Sequence, residues 1–235
     1  MTDPVLDKLP STNFLKALNG NVNGKKYSIN CESIGIDSPE KEKINDICTK
    51  LEKNIYYLEN EYNQQYLESV HNKDLSFFDK HCYDLNYWLY DELAKKLDAK
   101  IQKQWNSIDK NGRPNDSSKI CNPESQLFKT GLFEYIKKLL DYFENFETFT
   151  KEMGTQNKEP NKYCDYIKKC VPLYFTFKQL CQLISNNICE KYLKHDDSYN
   201  PAELLSNLSC VEGNKYEVKL DESLVLATFS QVLVV

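Results

Sequence analysis

Three histidines (His71, His81 and His195) and nine cysteines carry most of the reactive potential of this 235-residue chain. The densest cluster is "HCYDLNYWLYDEL", His81 to Leu93, where an imidazole stands beside a thiol among aromatics and acids. Nucleophilic catalysis needs a base within hydrogen-bond reach of a Ser, Cys or Asp. Adjacent residues on a helix point about 100° apart, so His81 and Cys82 are poorly placed to act on each other. None of the local signatures of cysteine proteases is present. The expected arrangement is a helix-surface His81 beside a core or bridged Cys82. Asp84, Asp91 and Glu92 are expected mostly on the wet side, since acids interleaved with lysines commonly form a solvated helix face. No catalytic residue is assigned, and the chain is read as a non-enzyme.

The cysteines are Cys31, Cys48, Cys82, Cys121, Cys164, Cys170, Cys181, Cys189 and Cys210. Structural zinc sites favour ligands two to four residues apart. Here the closest intervals leave five residues between Cys164 and Cys170 and seven between Cys181 and Cys189. No metal or cofactor is therefore expected. Cys181 and Cys189 lie just over two turns apart and cannot bridge each other on one helix. All nine cysteines are candidate disulfide partners, each reaching for another element, and the odd count leaves at least one thiol free. The competing reading is a set of buried free thiols in a reducing cytosol, since Cys also packs as a small hydrophobe.

Composition narrows the partners. Hydrophobic residues are 40% and charged residues 28%, as in a soluble globular protein. The net charge of −5, with Arg113 the only arginine, argues against nucleic acid. There is no Gly-rich phosphate loop, and no small-molecule substrate is indicated. "MTDPVLDKLPSTNFLKAL" does not read as a signal peptide. The final "LVLATFSQVLVV" is apolar but shorter than the roughly 20 residues that span a bilayer. Asn115 ("NDS") and Asn207 ("NLS") fit the glycosylation triplet, a common pattern in an Asn-rich chain.

The elements that must position these groups are helices. A stripe of Ile44, Ile47, Cys48, Leu51, Ile55, Leu58, Tyr62 and Tyr66 advances by three and four residues, with Ser38 as expected cap, Pro39 at the first helical position and an end near Val70. A second stripe runs Leu75, Phe78, Cys82, Leu85, Leu89, Leu93, Leu97 and Ile101. A third opens at Asn122-Pro123 and runs from Phe128 through Leu132, Phe133, Ile136, Leu139, Leu140 and Phe143 towards Phe149. A fourth begins at Tyr163, meets Pro172 and so kinks or restarts, then continues from Tyr174 through Phe177, Leu180 and Cys181 to Tyr192. Asn200-Pro201 reads as one more cap, and a short helix is expected before the Gly20 to Lys26 loop. The fold class is all-α: a single disulfide-stapled helical domain, residues 1–212, with polar loops. Residues 213–235 are expected to form a short irregular or strand-like tail: a terminal strand, a packed tail, or a chain truncated before or within a membrane segment.

Three blocks carry a family resemblance. "LPSTNFLKALN" resembles the opening of the Vir proteins of Plasmodium vivax, members of the Plasmodium interspersed repeat superfamily. "CYDLNYWLYDEL" is similar to that family's Cys, Leu, Tyr and Trp block, with Leu85, Tyr87 and Trp88 as scaffold positions. "LFEYIKKLLDYFENFETF" followed by "YCDYIKKC" resembles its later block. The blocks occur in the family's order from Leu9 to Cys189. The resemblance implies a variant antigen exported to the infected erythrocyte, at its surface or in the host-cell cytoplasm. It further implies a non-enzymatic role in adhesion, receptor binding or immune evasion, with a host receptor or an antibody as partner. Such ectodomains are helical and disulfide-bonded and usually precede a membrane segment. That segment is missing or only begun here, so membrane anchorage is not carried over. The variable binding face is expected on the loops Gly20 to Lys26, Asn111 to Lys119 and Gly154 to Asn161. The alternative is a soluble intracellular helical adaptor with free thiols.

Overall fold

The structure is a computed structural model, and it describes residues 6–20, 39–58, 75–97, 133–151, 162–183 and 197–210. The described residues form six α-helices and two 3-10 turns, with no strand among them. The helices are α1 (Pro10–Asn19), α2 (Lys41–Tyr56), α3 (Leu75–Lys96), α4 (Phe133–Lys151), α5 (Cys164–Leu183) and α6 (Pro201–Asn207). The 3-10 turns are Leu6–Lys8 and Asp197–Tyr199. The fold is all-helical, as the periodicity predicts, and disulfide-bonded, as the cysteine number and spread predict. The tail 213–235 lies outside the described residues. The chain divides into two compact units, Met1–Phe14 with Thr130–Val235 and Leu15–Lys129, the boundary falling inside α1.

In the unit Leu15–Lys129, α2 packs against α3. The α2 stripe is buried as its spacing predicts, from Ile44 through Ile47, Cys48, Leu51 and Ile55 to Leu58. The helix start differs from expectation. Helix α2 begins at Lys41 with Glu40 as N-cap, and Glu40 makes no side-chain cap bond. Its carboxylate instead pairs with Lys43 Nζ at 3.2 Å. Ser38, Tyr62, Tyr66 and Val70 lie outside the described residues. The end of α1 is tied to both neighbours. Asn54 Nδ2 of α2 donates to the Leu18 carbonyl (3.1 Å), and Trp88 Nε1 of α3 donates to Asn19 Oδ1 (3.1 Å). Buried polar groups are rarely left without such bonds, because desolvation without a partner is costly.

In the other unit, α5 packs against both α4 and α6. Helix α5 runs through Pro172 without a restart, so of the two outcomes expected at this proline a new helix is excluded. The ring lacks an N–H, so the Lys168 carbonyl receives no bond from the residue four later. Between the helices lies an aromatic core. Phe149 stacks with Tyr142 (6.1 Å between centroids) and meets Tyr163 (5.0 Å), while Phe143 meets Tyr174 (6.4 Å). The Tyr142 hydroxyl donates to the Tyr199 carbonyl at 2.9 Å.

Two helix ends show how the unit is pinned. Pro10 has no N–H to satisfy at the start of α1, but Ser11 does. Asn145 on α4, fully buried, accepts that N–H through Oδ1 (3.1 Å) and donates through Nδ2 to Ser11 Oγ (2.8 Å). A residue 134 positions away therefore supplies the cap. Helix α6 starts as predicted, with the Asn200 side chain accepting the Ala202 N–H (3.0 Å) and Pro201 just inside. It ends in a Schellman turn. The Cys210 N–H bonds the Leu205 carbonyl (2.9 Å) and the Ser209 N–H bonds the Ser206 carbonyl (3.2 Å). Ser209 takes the left-handed position, with φ 57°, where Gly is usual.

Candidate functional site

The cysteines and the His81 neighbourhood are the groups singled out by the sequence. Cys164 and Cys210 are joined, with Cα atoms 5.4 Å apart, tying the first turn of α5 to the residue just past the α6 turn. Cys48, Cys82 and Cys181 are disulfide-bonded as well. Cys31, Cys121 and Cys189 lie outside the described residues. Cys170 is the correction to the candidate set: it is free and buried, not bridged. It sits six residues after Cys164 on the same helix, about 240° round the axis, and so points away from the disulfide. Its thiol donates to the Tyr166 carbonyl at 3.4 Å. Burial, reinforced by the nearby Asp141 carboxylate, pushes the thiol up to about 12. Such a thiol carries almost no thiolate at neutral pH and is a poor nucleophile.

On α3 the structure overturns the expected surface histidine. His81 is 0% exposed and Asp84 is 1% exposed, so Asp84 is not on the wet side. Every residue from His81 to Asn86 is buried. His81 Nδ1 lies 3.2 Å from Asp84 Oδ2, within hydrogen-bond reach of a buried acid. An i, i+3 spacing brings two side chains to one side of a helix, and this was the signal available in the sequence. The pair resembles the base and orienting acid of a catalytic set, but the neighbouring Cys82 is bonded, and neither side chain is reachable from solvent. Chemically the arrangement is a buried polar contact within one helix. His71 and His195 lie outside the described residues.

Cys82 is buried (5% exposed) and Trp88 is core (2% exposed), as the periodicity predicts, and Cys82 is also bridged. Leu85 is buried with them, and Tyr87 is half-buried. Asp91 and Glu92 lie nearer the surface and pair with Lys95 and Lys96 one turn on. Lys96 also reaches Asp46 on α2 (3.1 Å), which Lys50 contacts at 3.0 Å. The hydrogen bond from Lys50 leads in holding the Asp46 carboxyl below its ordinary value, with burial opposing it and Lys96 assisting. The hydrogen bond to Glu92 is the main reason Lys96 is raised. Partly exposed pairs of this kind stabilise by about 1 kcal/mol or less each.

The other unit holds a buried cation that the sequence does not mark. Lys137 on α4 is 3% exposed and paired with Asp141 one turn on. Tyr166 faces the same region, and its hydroxyl is raised well above its ordinary value, chiefly by burial and then by its surroundings at Cys170 and Asp141. Among the described residues no group of three or more His, Cys, Asp or Glu is placed to hold a metal ion. Among the same residues no helix is long and apolar enough to cross a membrane. Of the loops expected to carry a binding face, only Gly20 is described. It closes α1 by donating its N–H to the Lys16 carbonyl (2.9 Å).

What these residues define is a disulfide-bonded helical scaffold whose polar interior joins helices to one another. The chain belongs to the Plasmodium vivax Vir protein family, whose family model matches residues 9–227. This is a family of variant antigens and is not known for enzymes. The match takes in all six helices. No curated protein and no solved structure matches the chain.

Proposed function

We propose that this chain is an exported variant surface antigen of the malaria parasite, non-enzymatic, acting at the infected erythrocyte in host-cell adhesion, receptor binding or immune evasion. The observation that carries the reading is membership of the Vir family over residues 9–227. The disulfides support it. Five described cysteines (Cys48, Cys82, Cys164, Cys181 and Cys210) are bonded, and stable disulfides belong to oxidising environments outside the cytosol. The same bonds count against an intracellular adaptor with free thiols. The partner of such a scaffold is a host receptor or an antibody, contacting variable loops that the helices hold in position.

Antibodies raised against the folded chain test the reading on infected red cells with and without permeabilisation. Labelling of intact cells is the expected result. Labelling that appears only after permeabilisation would contradict surface display.

A further inference from the structure

The end of α6 places an Asn-Leu-Ser triplet at the surface. Asn207 and Ser209 are both exposed, while Leu208 between them is buried. The Schellman turn produces this split. The left-handed Ser209 reverses the chain, sending Cys210 inward to its disulfide with Cys164 and leaving the asparagine amide and the serine hydroxyl outside. Among the described residues none hydrogen-bonds the Asn207 amide or the Ser209 hydroxyl. Transfer of a glycan requires both groups, the amide as acceptor and the hydroxyl two residues on for recognition, with any residue but Pro between. Sequence pattern alone is weak evidence in an Asn-rich chain; here the fold adds the exposure of Asn207 and Ser209 on one turn with Leu208 buried between them.

We infer that Asn207 is an N-glycan acceptor. The donor is a lipid-linked oligosaccharide pyrophosphate. The bond from its anomeric carbon to the phosphate oxygen breaks, and a bond from that carbon to Asn207 Nδ2 forms. The lipid pyrophosphate leaves with the bonding pair, and the amide proton passes to a base on the transferase. The disulfide three residues along requires the same oxidising compartment in which such transfer takes place. A glycan on Asn207 covers the end of α6 and shields that face from antibody and protease. In the native cell the modification rests on the exported reading above.

The test directs the full chain into the secretory pathway of a eukaryotic cell behind an added leader and maps the peptide containing Asn207 by mass. The wild-type chain and Ser209→Thr are expected to carry one or more N-acetylhexosamines on Asn207. Asn207→Gln and Ser209→Ala are expected to lose them while keeping the wild-type thiol count, which shows that they fold. An unmodified Asn207 in the secreted, disulfide-bonded wild-type chain overturns the assignment, as does a modification that survives Ser209→Ala. Because the added leader guarantees entry, such a failure leaves the export reading untouched, and export is judged separately by localisation.

Discussion

His81 Nδ1 lies 3.2 Å from Asp84 Oδ2, one turn along α3, with both side chains shut away from solvent. A pair so placed exchanges hydration for contact inside the fold, and its value lies in what happens when one member is removed. Asp84→Ala should destabilise the chain by roughly 1–3 kcal/mol, because the imidazole loses a buried acceptor. The cycle through His81→Ala and the double variant should show a coupling of about 0.5–3 kcal/mol, read from denaturant unfolding. Additive single effects would mean that the two side chains act independently.

Trp88 is the largest side chain of the family's Leu-Tyr-Trp block, and it is core. Replacing it with Ala should cost about 3–5 kcal/mol by cavity formation. Trp88→Phe retains most of the volume and loses the bond to Asn19 Oδ1, so it should cost about 1–2 kcal/mol. A near-neutral Trp88→Ala, measured by thermal or denaturant unfolding, would place the indole at the surface.

The Cys164–Cys210 disulfide closes a loop of 46 residues. By the chain-entropy relation, a loop of that length stabilises the fold by about 4 kcal/mol. The double variant Cys164→Ser with Cys210→Ser should show a loss of that order in a denaturant titration. The first turn of α5 and the end of α6 should be the first segments to lose amide protection in hydrogen exchange.

Thiol counting separates bridged from free cysteines. Under native conditions no fast-reacting thiol is expected from Cys170, since burial and a raised thiol keep it neutral and inaccessible. Unfolding without a reductant should expose the Cys170 thiol, and Cys170→Ser should lower the thiol count by one. Eight or nine reactive thiols would overturn the disulfide-bonded reading.

Alkaline unfolding should have a recognisable onset. The Cys170 thiol is raised from 9.0 to about 12 in the fold, and the hydroxyls of Tyr142 and Tyr166 are raised above 10.0, all three chiefly by burial. In each case the folded state keeps its proton after the unfolded chain has lost it. Stability is therefore complete below pH 9 and falls as pH rises, through Cys170 first and the tyrosines next. Each group at full effect contributes a slope of about 1.4 kcal/mol per pH unit. Cys170→Ser should delay the onset by removing the earliest group, as followed by circular dichroism between pH 8 and 12.

The helical class was readable without coordinates. Steps of three and four are a local property, and Ile44 to Leu58, Cys82 to Leu97 and Phe133 to Phe149 announce their helices by repeating them. The Asn200-Pro201 cap was equally local, as were the ordered blocks that resemble the Vir family and the odd cysteine count. A single stripe, however, describes a helix with one covered face. It missed the stretch from His81 to Asn86, which is enclosed on all sides. Nor does periodicity reveal that Lys137 is buried, because lysine normally stays at the surface and its burial goes with pairing to Asp141, four residues on.

What the sequence by itself determined is therefore the set of helices, the excess of cysteines over any metal pattern, and membership of a family read from ordered blocks. Tertiary structure alone decided that Cys164 meets Cys210, that Cys170 stays free, that Asn145 caps a helix 134 residues away, and that the Asn207 triplet faces outward. The reason is physical. Helix formation depends on residues within a turn or two of each other, whereas pairing depends on distances set only when separate helices pack.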